Sequence, residues 1–277
     1  MSGWLNQLAE RSKAVDSLSA LTTDKRGFVV LDQRRSPEQC RPLLGLSGKQ
    51  DFLTLFAGTS PSPLIEASPW LVEIDQGSEA WHYAEALCQK RLGWMCLPSS
   101  DQTLQSIANH LRTLFVLDDP HGGKSLINLQ QPAVCMALLA SVAFNAYSYW
   151  LSLFQLVATP TPQGQWLVWQ PLAATPAVLD EWQLTTEMEV ALKESQQAWW
   201  LSEHSSEGLT TLPYQWVERL SVCVNTGITK GRYLIRLLPI IQQADEAAWQ
   251  RVEQLLSESE LVGIQRIKAV EKLHDGQ

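Results

Sequence analysis

The tripeptide Gly123-Lys124-Ser125 is the first place in this sequence where residue types suggest chemistry, because a glycine-rich loop ending in Lys-Ser can cradle phosphates. That use needs a glycine five positions before Gly123, where Asp118 stands, and a helix after the loop whose N-terminus faces the anion. The residues that follow read as a strand, so DDPHGGKS is a turn. Gly45-Leu46-Ser47-Gly48 approaches a nucleophile elbow but has Lys49 where the closing glycine is required. The five histidines, His82, His110, His121, His204 and His274, form no i,i+4 pair and no HExxH, so no metal site is expected. Asp118 and Asp119 could work as an acid–base pair, but beside Pro120 and Gly122 they are expected to hydrogen-bond the turn backbone. Cys40, Cys88, Cys96, Cys135 and Cys223 lack a CxxC spacing and read as reduced, buried thiols. No catalytic residue, cofactor site or metal site is therefore predicted. A hydrolase-type enzyme with a dispersed active site stays as an alternative, since triads converge from distant positions.

Composition narrows the classes further. The chain has 277 residues, 45% of them hydrophobic and 18% charged, which suits a folded globular protein. A net charge of −8, with basic pairs scattered, argues against nucleic acid, which needs a cationic footprint. The 12 tryptophans are expected mostly in the core, with a minority as interface anchors. The first residues, MSGWLNQLAERSKAVDSLSAL, contain Glu10 and Asp16 and no apolar h-region, so they predict a helix with Trp4, Leu8, Val15 and Leu18 on one face. That reading, with the cysteines, implies a cytoplasmic protein. Residues 125–179 carry no Asp, Glu, Lys or Arg, and the apolar window 133–158 is long enough to span a bilayer. It also carries Asn145, Ser148, Ser152 and Gln155, follows Pro132 and lacks basic flanks, so a buried helix and hairpin are expected. A membrane-associated structural protein is the second alternative.

The elements are legible from their periods. Strands are predicted over 28–32 (FVVLD), 52–56 (FLTLF), 69–75 (PWLVEID) and 93–97 (GWMCL), with hairpins at 114–117/126–129 and 154–158/165–169. Helices are expected behind Ser36, over 78–91, behind Ser99 or Ser100 to about Arg112, and from Pro132. After PLAATP at 171–176 every segment has a helical period: 184–199, then 213–224, 232–242, 246–256 and 258–273, the last behind a Ser257/Glu260 capping box. The fold class is thus α+β: an N-terminal mixed α/β lobe with a short-stranded sheet and a C-terminal all-helical lobe. The divisions are a helical extension over 1–25, an α/β lobe over 26–172 and a helical lobe over 173–277.

Residues 27 to about 145 resemble the type VI secretion adaptor-chaperones, often called Tap or TEC proteins. The likeness is carried by FVVLDQ with Asp32, and by LFAGTSPSPLIEASPWLVEID with Gly58, Pro69, Trp70, Leu71 and Glu73. It continues in LGWMCLPSS with Gly93 and Trp94, and in residues 104–134 up to Pro132. One departure stands out. Where the family commonly has Arg-aromatic-aromatic-Asp-Pro-Arg, this chain has Asn128, Leu129, Gln130, Gln131, Pro132 and Ala133, so only the proline persists.

The resemblance implies a non-catalytic cytoplasmic adaptor that binds a secreted effector protein and promotes its loading onto the secretion spike (VgrG), with no small-molecule substrate. Partner choice is expected in the helical lobe, whose aromatic residues Trp199, Trp200, Tyr214, Trp216, Tyr233 and Trp249 are the candidate contacts. Trp199 and Trp200 are adjacent on a helix and point about 100° apart, so a narrow buried stripe cannot easily hide both.

Overall fold

The computed structural model describes residues 3–19, 26–100, 102–172, 183–258 and 264–275. Its centre is a seven-stranded sheet in the order β1-β9-β8-β5-β2-β4-β3, every neighbouring pair antiparallel. The strands are β1 (Ser12–Val15), β2 (Arg26–Leu31), β3 (Lys49–Thr54), β4 (Trp70–Asp75), β5 (Gly93–Pro98), β8 (Phe154–Pro160) and β9 (Trp166–Trp169). A separate two-stranded hairpin joins β6 (Val116–Asp118) to β7 (Lys124–Leu126).

Alternate side chains of a strand point to opposite faces, and here both faces are buried. Phe28 and Val30 of β2, and Trp94 and Cys96 of β5, enter one core, while Val29, Leu31, Met95 and Leu97 enter the other. A strand buried on both sides needs no polar alternation, which is why FVVL and GWMCL read as continuous apolar runs. The smaller core lies under α3 (Glu79–Gln89), through Ala80, Trp81, Ala84, Leu87 and Cys88, and under Cys40 of α2 (Pro37–Cys40). Gly93 is required by the pairing of β5 with β2, because a Cβ there would lie 2.1 Å from the Val30 carbonyl oxygen.

The larger core is organised by α5 (Pro132–Ser141). Every residue from Pro132 to Ala140 is buried, so the helix has no solvent face and must be covered all round. It packs against α1 (Gly3–Arg11), β8 and α7 (Thr186–His204). Its C-terminal carbonyls are capped by Arg11, whose Nη1 donates to Leu139 O at 3.1 Å and Val142 O at 2.7 Å. The apolar window 133–158 is broken after Ser141: a second helix, α6 (Phe144–Trp150), follows, and then β8. Among the described residues no helix is long and apolar enough to cross a membrane.

The remaining helices are α4 (Leu104–Phe115), α8 (Tyr214–Asn225), α9 (Gly231–Gln243), α10 (Glu246–Glu258) and α11 (Ile264–Asp275). The mixed α/β region is thus followed by an all-helical one, as the periodicity implied. The two share one core, a continuous buried cluster that includes Trp4, Trp94, Leu138, Trp199, Leu237 and Val270.

Several boundaries differ from the sequence expectation. The N-terminal helix stops at Arg11, and residues 12–15 pair with β9, so Val15 belongs to an edge strand. Main-chain bonds to a strand 150 residues away outweigh the local helical pattern there. The cap of α4 is Thr103, which exchanges hydrogen bonds with Ser106, rather than Ser99 or Ser100, since β5 continues through Pro98. Leu114 and Phe115 stay in α4, which shortens the hairpin. Ser257 stays inside α10, its hydroxyl donating to Glu253 O at 2.8 Å, and Glu260 of the expected capping box lies outside the described residues.

A chain truncated after residue 172 is expected to lose cooperative folding, because α5 would expose the face that α7 covers. Urea unfolding followed by tryptophan fluorescence checks this. A sharp transition with an undiminished midpoint would show that the α/β region folds alone.

Candidate functional site

A concave site lies where the α/β region meets α7. It is a cavity of about 540 Å3. Its floor starts at the end of β2, where Asp32 leaves the sheet; Asp32 N donates to Leu92 O at 2.7 Å, and Arg35 N closes a turn onto Asp32 O at 3.2 Å. Gln33 fixes that turn to the short helix Ser62–Ala67 through Nε2 donating to Glu66 O at 2.8 Å. Arg34 and Arg35 are exposed and line the cavity, as do Leu64, Leu126 and Gln130.

Arg91 forms the wall nearest the helical region. It follows α3 at φ +64°, the one non-glycine residue with positive φ among those described. The backbone there is a Schellman closure, with Arg91 N donating to Cys88 O at 2.8 Å and Leu92 N to Leu87 O at 3.1 Å. Glycine is the usual occupant of that position, and any other residue costs about 1–2 kcal/mol. What the arginine gains is contact across the seam. Its guanidinium lies 4.6 Å from the centre of the Trp199 ring, and Nη2 donates to Gln196 Oε1 at 3.2 Å. Glu203 of α7 lies 3.7 Å from Nη1.

Asp32 is 7% exposed, and burial pushes its carboxyl above the usual range, while Arg35, Arg34 and a hydrogen bond with Gln130 act the other way. Gln130 is equally buried, and its Oε1 has no hydrogen-bond partner. Asn128, Gln130 and Gln131, three of the neutral residues in the family's charged segment, all line this cavity. Arg34, Arg35 and Arg91 were not singled out as site residues from sequence, whereas Gln130 was named there only within the neutral segment that replaces the family's charged one.

The other motif residues serve the scaffold. Gly58 turns the chain after β3 at φ +70°, and Pro69 accepts a bond from Leu55 N at 3.0 Å. Trp70 meets Phe52 edge-on at 5.8 Å, Leu71 is buried in β4, and Glu73 pairs with Arg26 at 3.1 Å. Trp94 Nε1 donates to Leu129 O at 2.8 Å, which holds the segment entering α5, and Pro132 is the first residue of that helix.

The aromatic candidates of the helical region are buried or half-buried. Trp199 and Trp249 are buried, the latter under Arg219 at 5.1 Å. Trp200, Tyr214, Trp216 and Tyr233 are half-buried against the large core. Trp200 stacks on His204 at 4.4 Å, Arg232 covers Tyr233 at 4.8 Å, and Tyr214 Oη donates to Glu194 Oε1 at 2.8 Å. As the adjacency argument implies, Trp199 faces the core and Trp200 turns partly outward.

Groups with chemical potential are otherwise committed. All five thiols are buried, and burial pushes Cys40 up to about 11 and Cys223 to about 12, with Cys88, Cys96 and Cys135 also raised. Gly123 and Lys124 belong to the tip and second strand of the hairpin, with Lys124 Nζ 2.8 Å from Asp118 Oδ1. Asp119 accepts from His121 N at 2.7 Å and Ser125 Oγ at 2.8 Å, the turn bonds anticipated for it. Asp119, His121 and Glu189 place ligand atoms within 4.8 Å of one another, but the His121 ring is exposed and both Asp119 oxygens are used by the turn. His110 is buried against Tyr149 and Phe154, its Nε2 2.9 Å from Trp150 O, and burial lowers its pKa.

Residues 27–146 match the family described as a domain of unknown function (DUF4123), less than half of the chain, and that stretch belongs to it. It coincides with the residues that resemble the type VI secretion adaptors. No curated protein and no solved structure matches the chain.

Arg91→Ala is expected to cost about 1–3 kcal/mol, since it keeps the left-handed strain and loses the contacts to α7. Arg91→Gly is expected to be the milder change by about 1 kcal/mol, because glycine relieves that strain. Urea midpoints of both variants check this, and equal losses would contradict it. His110 gives a pH prediction. Burial makes its ring harder to protonate in the folded protein than in the unfolded chain, which takes up a proton below about 6.5. Stability is therefore full above that value and falls as the pH drops towards the lowered native pKa. The urea midpoint should decline between pH 7 and 5 less steeply in His110→Gln, and parallel profiles would refute the assignment.

Proposed function

We propose that this protein is a non-catalytic cytoplasmic adaptor that binds a secreted effector protein and promotes its loading onto the VgrG-type spike of a type VI secretion system. The observation that carries the reading is the DUF4123 domain over 27–146, whose ordered motifs resemble those adaptors. The cavity at the seam supports it: rigid walls, exposed cationic groups and apolar lips suit a protein segment. The buried thiols and the internally bonded His110 give a dispersed hydrolase little to work with, because an active nucleophile or base needs access and a matched pKa.

Co-expression with the products of neighbouring spike and effector genes tests this. The effector is expected to co-purify with the full chain, and a spike complex to form only when the chain is present. Single substitutions His82→Ala, His121→Ala and Asp118→Ala should leave capture unchanged, since isolated surface changes usually stay within about 0.5 kcal/mol. Failure to capture any neighbouring product, or one of these variants abolishing delivery while capture and melting temperature persist, would overturn the reading.

A further inference from the structure

We infer that the cavity between the α/β region and α7 is a docking groove for an extended peptide segment of the partner, with a carboxylate side chain next to an apolar one. The inference rests on the adaptor reading for the identity of that partner; its chemistry comes from the groove.

Three features define the occupant. The first is the orphaned Gln130 Oε1, which faces no donor in a residue only 7% exposed. Oε1 is sealed from solvent as the side chain stands, so a donor reaches it only when Gln130 turns into the groove; there the main-chain N–H of an extended segment is a donor of the right kind, and a buried acceptor left unpaired costs about 1–3 kcal/mol. The second is charge. Arg34, Arg35 and Arg91 line the groove against one acid, Asp32, in a chain whose net charge is −8. Arg91 is engaged by Gln196, Glu203 and Trp199, and Arg35 Nη1 donates to Arg91 O at 3.3 Å. Arg34 makes no hydrogen bond or ion pair among the described residues, so its guanidinium fork is available to a carboxylate. The third is the rim. Leu64 and Leu126 are 47% and 41% exposed, large apolar side chains standing beside a polar floor. An acidic side chain on Arg34 and a neighbouring apolar one against these leucines satisfy all three features at once.

The volume of about 540 Å3 falls within the range of sites that enclose a ligand of several residues' side chains. The walls are also fixed before binding. The β2 turn is bonded to the helix Ser62–Ala67, and Arg91 is locked onto α7, so little order remains to be imposed.

The test uses the full chain and a defined probe, acetyl-Leu-Asp-Leu-Asp-Leu-amide, beside its analogue with both Asp replaced by Asn. The acidic peptide is expected to shift the NMR signals of the Gln130 side-chain amide and the Leu126 methyls saturably. The Asn analogue should bind about ten-fold more weakly, the loss of one charge-assisted hydrogen bond. Arg34→Glu should cause a similar or greater loss, as should Leu126→Asp, while Lys268→Glu on α11, the same charge change elsewhere, should not. Melting temperatures accompany each variant, and if Arg34→Glu fails to fold then Leu126→Asp decides. Effector capture is measured on the same proteins. Peptide binding at these signals together with loss of capture in the groove variants supports the proposal. Peptide binding without capture by the wild-type chain would retain the groove and remove the adaptor reading. Capture unaffected by the groove variants, absence of peptide shifts, or equal binding of the Asn analogue would each overturn the groove and leave the adaptor reading standing wherever capture persists.

Discussion

Helix α5 has no face to give to water, and most of the architecture answers that condition. A helix apolar on one stripe can lie on a sheet with its other side solvated, but one buried from Pro132 to Ala140 needs a cover in every direction. The sheet supplies one side through β8, the N-terminal helix another, and α7 a third. The helical region is therefore part of the core of the α/β region. Each fully buried leucine or methionine on α5 contributes about 1.5–3 kcal/mol relative to exposure. Leu138, Leu139 and Met136 are all in this condition, and no surrounding element can be removed without re-exposing some of that surface.

Polar groups mark the seams between packed elements. Glu194 of α7 accepts from Trp4 Nε1 of α1 and from Tyr214 Oη of α8, both at 2.8 Å. Arg11 caps α5 while its guanidinium lies 5.2 Å from the Tyr147 ring centre. Arg219, buried in α8, donates to Ile241 O of α9 at 2.9 Å. Such bonds add modest net stability, about 0.5–1.5 kcal/mol each, but leaving one partner buried alone costs more, so they select one arrangement of helices over near alternatives. The tryptophan load has the same explanation. Of the indoles named as candidate partner contacts, Trp199 is buried at the seam between the two regions under Arg91.

What could be read from residues alone was what is local or strongly periodic. FVVLD, WLVEID and GWMCL announced strands, the period from 78 announced a helix, and Pro132 opened α5, because propensity and pattern agree at those positions. Residues 12–15 were missed because their strand exists only through pairing with β9, and the helical pattern of Trp4 and Leu8 runs smoothly into them. The cap at Thr103 was missed because Ser99 and Ser100 offer the same chemistry four and three residues earlier, and only the length of β5 decides between them. The groove was invisible for a different reason. Its members come from the β2 turn, the end of α3, the hairpin, the entry to α5 and α7, and no spacing in the chain relates Arg34 to Gln130 or Arg91 to Gln196.

That dispersed origin bears on how the groove can act. Its floor and cationic groups belong to the DUF4123 stretch, while Gln196, which holds Arg91 in place, belongs to α7 outside that stretch. Gln196 also lies 3.5 Å from Gln131 Oε1, directly before α5, so one side chain touches both the wall of the groove and the entry to the central helix. The shape of the groove is consequently tied to the docking of the helical region, and that docking is tied to the burial of α5. A segment seated between Arg34 and the two leucines contacts a surface whose Arg91 wall is held by Gln196 of α7. Binding such a segment therefore favours the assembled state over any state in which α7 has separated, in proportion to the affinity, as any ligand of a folded form must.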